Sequence, residues 1–172
     1  MNFKILTIGI SIAGSMALAG AARAEDPVSL GQFDDWEAFT YRAEGAPVCY
    51  VFSAPKKIES DKKIAKRDEV YFMVTHVPGR KVKGQISTII GYPFKEASIV
   101  VLKVDGVPFD LYTIGDAAWA ATADIEQGIV KVMKASKSFT LTGISWKGTQ
   151  TTDTYSLTGF NKALDKIDAS CK

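Results

Sequence analysis

Histidine occurs once in the 172 residues, at His76, and cysteine only twice, at Cys49 and Cys171. The Cys/His clusters of common zinc sites are therefore excluded. A Ser–His–Asp or Cys–His catalyst would have to use His76, which falls at the end of a strand-like run beside Pro78-Gly79. A lone imidazole in such a place more often serves structure than catalysis. The nucleophile-elbow pattern G-x-S-x-G is missing, and Gly143-Ile144-Ser145-Trp146-Lys147-Gly148 misses it by one residue. Neither glycine-rich phosphate loop, G-x-x-x-x-G-K-S/T or G-x-G-x-x-G, occurs, and the EF-hand spacing is absent too. Asp34-Asp35 is a poor acid pair, because neighbours on a strand point to opposite faces. No catalytic residue, metal ligand or cofactor-binding set emerges. The composition, 47% apolar and 23% charged with no repeat or low-complexity tract, is that of an ordinary globular domain.

What is present begins with an address. Lys4 and the terminal amine precede an uncharged run from Ile5 to Ala19, and Ala22-Arg23-Ala24 supplies small residues at −3 and −1 of a cut between Ala24 and Glu25. This is the three-part pattern of a secretory signal peptide, so residues 1–24 are expected to be removed and 25–172 to form a single domain. The competing reading is a membrane anchor. Fifteen helical residues reach only about 22 Å at ~1.5 Å each, short of a ~30 Å hydrocarbon core, although extension through Ala22 narrows the gap. No cysteine follows the run to carry a bacterial lipid. The expectation is a periplasmic or secreted protein with no stable membrane anchor after cleavage. Lys4 and Arg23 leave with the leader, so the remaining 19 basic side chains balance the 19 acids. That balance removes the electrostatic case for nucleic-acid binding. Charge is still blocked along the chain, acidic over 25–55 and 96–128, basic over 56–95 and 129–172, and such blocks could steer a partner.

Export also bears on the cysteines. In an oxidising compartment Cys49, in the apolar run Val48-Cys49-Tyr50-Val51-Phe52, is expected to pair with the penultimate Cys171. The alternative is two buried thiols acting as small hydrophobes. The segment from Lys56 to Arg67 carries six bases against two acids. It reads as a solvated loop between strands, with an arm for anionic lipid or polysaccharide as the alternative. Thr149, Thr151, Thr152 and Thr154 point to a strand with one polar face, able to meet glycans or simply wet. Trp36, Trp119 and Trp146 read as core or rim packing.

Period-two patterning dominates. Glu69 to His76 sets Val70, Phe72 and Val74 against Tyr71, Met73 and Thr75, and Gly84 to Ile90 sets Ile86 and Ile90 against Ile89. Ser98 to Val104 is apolar on both sides, so the pattern predicts a strand covered on both faces. Asp105-Gly106 marks a tight hairpin turn, returning through Val107, Phe109 and Leu111. Two later strands are predicted over Ser138–Ser145 and Thr151–Phe160. Helices are predicted over Gly115–Ala121 with Asp116 as cap, over Asp124–Ala135 with Asp124 and Gln127 as a capping box, and over Asn161–Cys171 with Phe160 stapled on Leu164. About eight strands with two or three short peripheral helices indicate a mainly β fold, a single-domain β-sandwich or barrel-like structure.

One ordered set of short motifs reaches across most of this chain: Trp36, Val48-Cys49-Tyr50, Ser53-Ala54-Pro55, Gly91-Tyr92-Pro93-Phe94, Asp105-Gly106-Val107-Pro108-Phe109, Gly115-Asp116-Ala117-Ala118-Trp119, Gly148 through Leu157, Gly159-Phe160 and Cys171. In that order they resemble the invasion-associated locus B family, exported proteins of alphaproteobacteria, from Trp36 to Cys171. Some members carry further cysteines that this chain lacks, so the resemblance implies only the Cys49–Cys171 bridge. It also implies a non-catalytic envelope or secreted protein. Such a protein would act through contacts with an envelope or host-surface protein, in the setting of bacterial entry into host cells. It brings no catalytic residue that maps here. The remaining alternative is a periplasmic module for a small ligand or glycan.

Overall fold

The computed structural model describes residues 26–63 and 67–172. The expected leader, with its expected cut between Ala24 and Glu25, falls outside the described residues. The chain runs through β1 (Val28–Phe33), β2 (Trp36–Ala43), β3 (Ala46–Ser53) and β4 (Lys57–Ser60), then β5 (Tyr71–Val77), β6 (Val82–Ile89), β7 (Ile99–Val104), β8 (Val107–Ile114) and β9 (Ala117–Ala120). It continues through α1 (Ala123–Ala135), β10 (Ser138–Ile144), β11 (Gln150–Ser156) and α2 (Phe160–Ser170). All eleven strands join one antiparallel sheet in the order β1-β2-β3-β5-β6-β9-β8-β7-β10-β11-β4. The fold is mainly β, and the sheet is open, with β1 and β4 as its two edges.

The sheet nevertheless curls back on itself. Only residues 54–56 link β3, near one end of the strand order, to β4 at the other. Across the seam the Trp36 indole donates to the Ser156 carbonyl at 3.0 Å, and the Asp35 amide donates to Thr158 at 3.3 Å. The concave side is the core. Trp36 of β2, Phe72 of β5, Phe139 of β10, Tyr155 of β11 and Phe160 of α2 meet there, all at most 2% exposed. Their ring centroids lie 4.8 Å apart for Trp36–Phe160, 4.7 Å for Phe72–Phe139 and 4.8 Å for Phe139–Tyr155. Burying aromatics from both halves of the strand order is what makes the curl favourable, at about 25 cal/mol per Å² of apolar surface removed from water.

Both helices cover the concave side. In α2, Phe160, Ala163, Leu164 and Ile167 are buried at helical spacing, and the helix lies on β1, β2 and β3. Cys171, one residue past α2, is bonded to Cys49 on β3 with Cα atoms 5.9 Å apart, clamping the end of the helix to the sheet. In α1, Ile129 and Met133 enter the core over β6, β7 and β9. Its cap is Thr122, whose hydroxyl accepts from the Ile125 amide, rather than the expected Asp124. Glu126 is also turned inward and accepts from the Ile86 amide at 3.3 Å, at a point on β6 beyond the end of its β9 ladder. Burial pushes the Glu126 pKa up, and that hydrogen bond opposes the rise only in part.

Three local expectations change. Gly115–Ala121 is not a helix: Gly115 and Asp116 form a turn, and Ala117–Ala120 is a strand between β6 and β8. Seven residues form a marginal helix, whereas this slot gives the backbone ladder partners and places small Ala118 and Ala120 inside, beneath α1. The strand predicted to run to Phe160 ends at Ser156, because Phe160 opens α2. On β7, Val100, Leu102 and Val104 are fully buried but Ile99 is 47% exposed, so nothing covers the outer side there among the described residues. The Asp105-Gly106 turn forms as expected, with φ of 46° and 83°.

Candidate functional site

The convex face of the sheet is where the chain departs from an ordinary wet surface. Inward positions of β2, β3 and β5 hold Trp36 and Ala38, Cys49 and Val51, Phe72 and Val74. The alternate, outward positions hold Phe39 and Tyr41, Tyr50 and Phe52, Tyr71 and Met73, all half-buried. Cross-strand pairing brings Phe39 opposite Tyr50 and Phe52 opposite Met73. Phe39 and Tyr50 stack with ring centroids 5.6 Å apart, and Tyr41–Tyr50 and Phe52–Tyr71 meet edge to face, each at 6.2 Å. Between Tyr41, Tyr50, Phe52, Tyr71 and Met73 lies a shallow groove of about 390 Å³, with Glu69 and Thr75 as its polar wall residues. Burial, and then the neighbouring Tyr41 and Tyr71, push the Tyr50 pKa up and keep its hydroxyl a neutral donor.

The register extends this row. Met73 faces Ser87, Ser87 faces Trp119, Trp119 faces Tyr112 and Tyr112 faces Ile99, across five adjacent strands. Tyr112 and Trp119 stack at 5.8 Å, and Tyr112 and Ile99 are nearly half exposed. A band of aromatic and aliphatic side chains, crossed on β6 by the buried Ser87, thus runs over the outer face from β2 to β7. No described helix covers it. Reading the sequence for its core missed this band, although its signal was present. Strands β2, β3 and β5 carry large apolar residues at both parities of the alternation, when a sheet with one wet face needs them at only one.

His76 lies on the other side of the sheet. A bulge between β5 and β6 sets Thr75 against Gln85 but His76 against Lys83, leaving Gly84 as the extra residue, with φ of 80°. The freed Gly84 amide donates to Nδ1 of His76 at 3.0 Å, which places the ring proton on Nε2, directed at Asp168 of α2 at 3.1 Å. Lys83 meets the same carboxylate oxygen at 2.8 Å. Burial raises the Asp168 pKa, but Lys83 and then His76 outweigh it and leave it below the usual carboxylate value. Both imidazole nitrogens are thereby engaged, and none of their partners is a hydroxyl or thiol. The arrangement pins α2 to the sheet.

The described residues of the basic segment, 56–63 and Arg67, are more ordered than a solvated loop. Lys57–Ser60 is the edge strand β4, and Arg67 is nearly buried. The Arg67 guanidinium donates to both Asp153 oxygens at 2.7 Å, donates twice more to the Ile90 carbonyl, and lies 5.1 Å from the Tyr92 ring centroid. Asp153 is fully buried, as are Thr151 and Tyr155, so of the threonines on β11 only Thr152 and Thr154 face outward, between Gln150 and Ser156. Trp36 is core, Trp119 belongs to the outer band, and Trp146 is 62% exposed, with Lys147 over its ring. Asp34 and Asp35 form no acid pair, since Asp35 is held by Lys56. No cluster of three or more metal-ligating side chains occurs among the described residues. No helix among them is long and apolar enough to cross a membrane.

The family model described as invasion associated locus B (IalB) protein matches residues 36–168, from the first residue of β2 almost to the end of α2. This chain belongs to the IalB family. The crystal structure of invasion associated protein B from Bartonella henselae is similar in fold, with a TM-score of 0.56 at 14% identity over 83% of this chain and 96% of that one. No curated protein matches the chain. The IalB-family match takes in the whole outer band and the Trp36–Ser156 contact of the seam, but not Asp35 or Cys171.

Proposed function

We propose that this IalB-family chain is an exported, non-catalytic protein of the bacterial envelope or exterior that acts by contact, using the outer aromatic band to hold an envelope or host-surface protein. The carrying observation is the band itself: six half-buried aromatic and Met side chains on β2, β3 and β5, continued by Trp119 and by the more exposed Tyr112 and Ile99. Contiguous exposed apolar patches on soluble domains mark interaction surfaces. Tyr, Phe, Trp and Met are also the residues enriched at interface centres, since they bury much area at little conformational cost. The secretory leader and the disulfide fit an oxidising location outside the cytoplasm. The family's description, invasion associated, agrees with a contact role. Neither a metal nor a cofactor nor nucleic acid enters this reading.

The test is a photo-crosslinking amino acid placed at Tyr41 or Phe52 in cells that export the protein, with Lys166 on the exposed side of α2 as control. Discrete protein adducts at the two band positions and none at Lys166 are expected. Adducts that are absent, or equal at all three positions, refute the reading. N-terminal sequencing of the exported protein should begin at Glu25. A second reading, a glycan or small-ligand module, is favoured by the groove over Tyr50, Phe52 and Tyr71, because sugar rings stack on aromatic faces. It requires saturable thermal stabilisation by a glycan and no protein adduct.

A further inference from the structure

Away from the outer band, a cleft of about 540 Å³ opens between α1 and α2 above the β5–β6 bulge, a volume in the range of small-molecule sites, roughly 300–1,000 Å³. Its wall on α1 is the stripe Gln127, Val130, Lys131 and Lys134, which the helical repeat puts on one side, turned from the core face of Glu126, Ile129 and Met133. Its wall on α2 is Leu164 and Asp168, one turn apart, and its floor is Gly84 and His76. Val130, Leu164 and the side-chain-free Gly84 make the interior apolar, and the lysine stems extend that surface.

Charge in the cleft is unbalanced. Asp168 is its only carboxylate, and Lys83 and the His76 Nε2–H already occupy it. Lys131 and Lys134, adjacent on the helix at i and i+3, make no ion pair among the described residues. Two unmatched ammonium groups thus stand beside an apolar, water-accessible trough whose single acid is spent.

From this we infer that the cleft between α1 and α2 binds a small amphiphile, a single anionic headgroup on an apolar chain. The headgroup meets Lys131 and Lys134, and the chain lies along Val130, Leu164 and Gly84. Neither part suffices alone: the lysines are exposed and hydrated, and an apolar molecule without charge leaves them unmatched. The site is independent of the outer band, so it stands or falls separately from the contact role.

Isothermal titration of the disulfide-bonded protein with octanoate, 1-octanol and inorganic phosphate tests it. Octanoate should bind saturably, and octanol and phosphate at least about tenfold more weakly, the loss of a charge-assisted contact or of the apolar chain each being worth that much. The double variant Lys131→Gln, Lys134→Gln should weaken octanoate by about tenfold or more while leaving the thermal midpoint in place, since both side chains are on the surface. No saturable octanoate binding, octanoate binding unchanged in the double variant, or phosphate binding as tightly as octanoate would each overturn the proposal.

Discussion

Replacing Asp153 with Asn tests the most buried ion pair in the described structure. Asp153 is fully buried and the Arg67 side chain is 7% exposed, so neither group regains water when its partner is lost. The substitution keeps the volume but turns one of the two accepting oxygens into an NH₂ that faces a guanidinium donor, leaving part of a buried positive charge unmatched. Breaking such a pair from one side costs about 3–5 kcal/mol. The two remaining bonds to the Ile90 carbonyl and the contact with Tyr92 favour the lower end. With a urea slope of about 2 kcal/mol per M, a 3 kcal/mol loss lowers the unfolding midpoint by about 1.5 M at unchanged slope. The paired change Arg67→Met, Asp153→Leu removes both charges and should return to within about 1 kcal/mol of the parent, because burying an ion pair gains little over burying apolar groups. Urea titrations of the parent, Asp153→Asn, Arg67→Met and Arg67→Met, Asp153→Asn form the cycle that measures the coupling. A loss below about 1 kcal/mol for Asp153→Asn, or strictly additive single changes, would refute the reasoning that the two buried charges depend on one another.

Two further outcomes are expected. Reducing the Cys49–Cys171 bond, which joins residues 122 apart in the sequence, should destabilise the protein by about 2–5 kcal/mol, read from urea midpoints with and without reductant; free thiols at both positions in peptides of the unreduced protein would sink the argument. For Glu126, the folded state holds the proton more tightly than the unfolded chain does, so its contribution is largest at low pH and is lost as pH rises from the ordinary glutamate value through the folded one. Glu126→Gln keeps an acceptor for the Ile86 amide and should remove that downward slope, giving equal or higher stability at neutral pH. Urea midpoints that keep the parent's slope over the same range would contradict it.

Elements set by neighbours along the chain were legible without coordinates. The alternation at Tyr71–Val77, the Asp105-Gly106 turn and the apolar stripe of α1 each depend on a few adjacent residues, so backbone sterics and periodicity are enough to place them. The outcomes that depend on partners far along the chain were not. Ala117–Ala120 became a strand because β6 and β8 left a slot for it, against its helical composition. Arg67 found Asp153 86 residues away, and His76 found Asp168 92 residues away, through a curl of the sheet that no local pattern encodes. The second apolar face of β2, β3 and β5 is written in the sequence. That this face lies outside the curl, while both helices fill the inside, was decided only by tertiary packing, because alternation distinguishes two faces but does not say which of them other parts of the chain will cover.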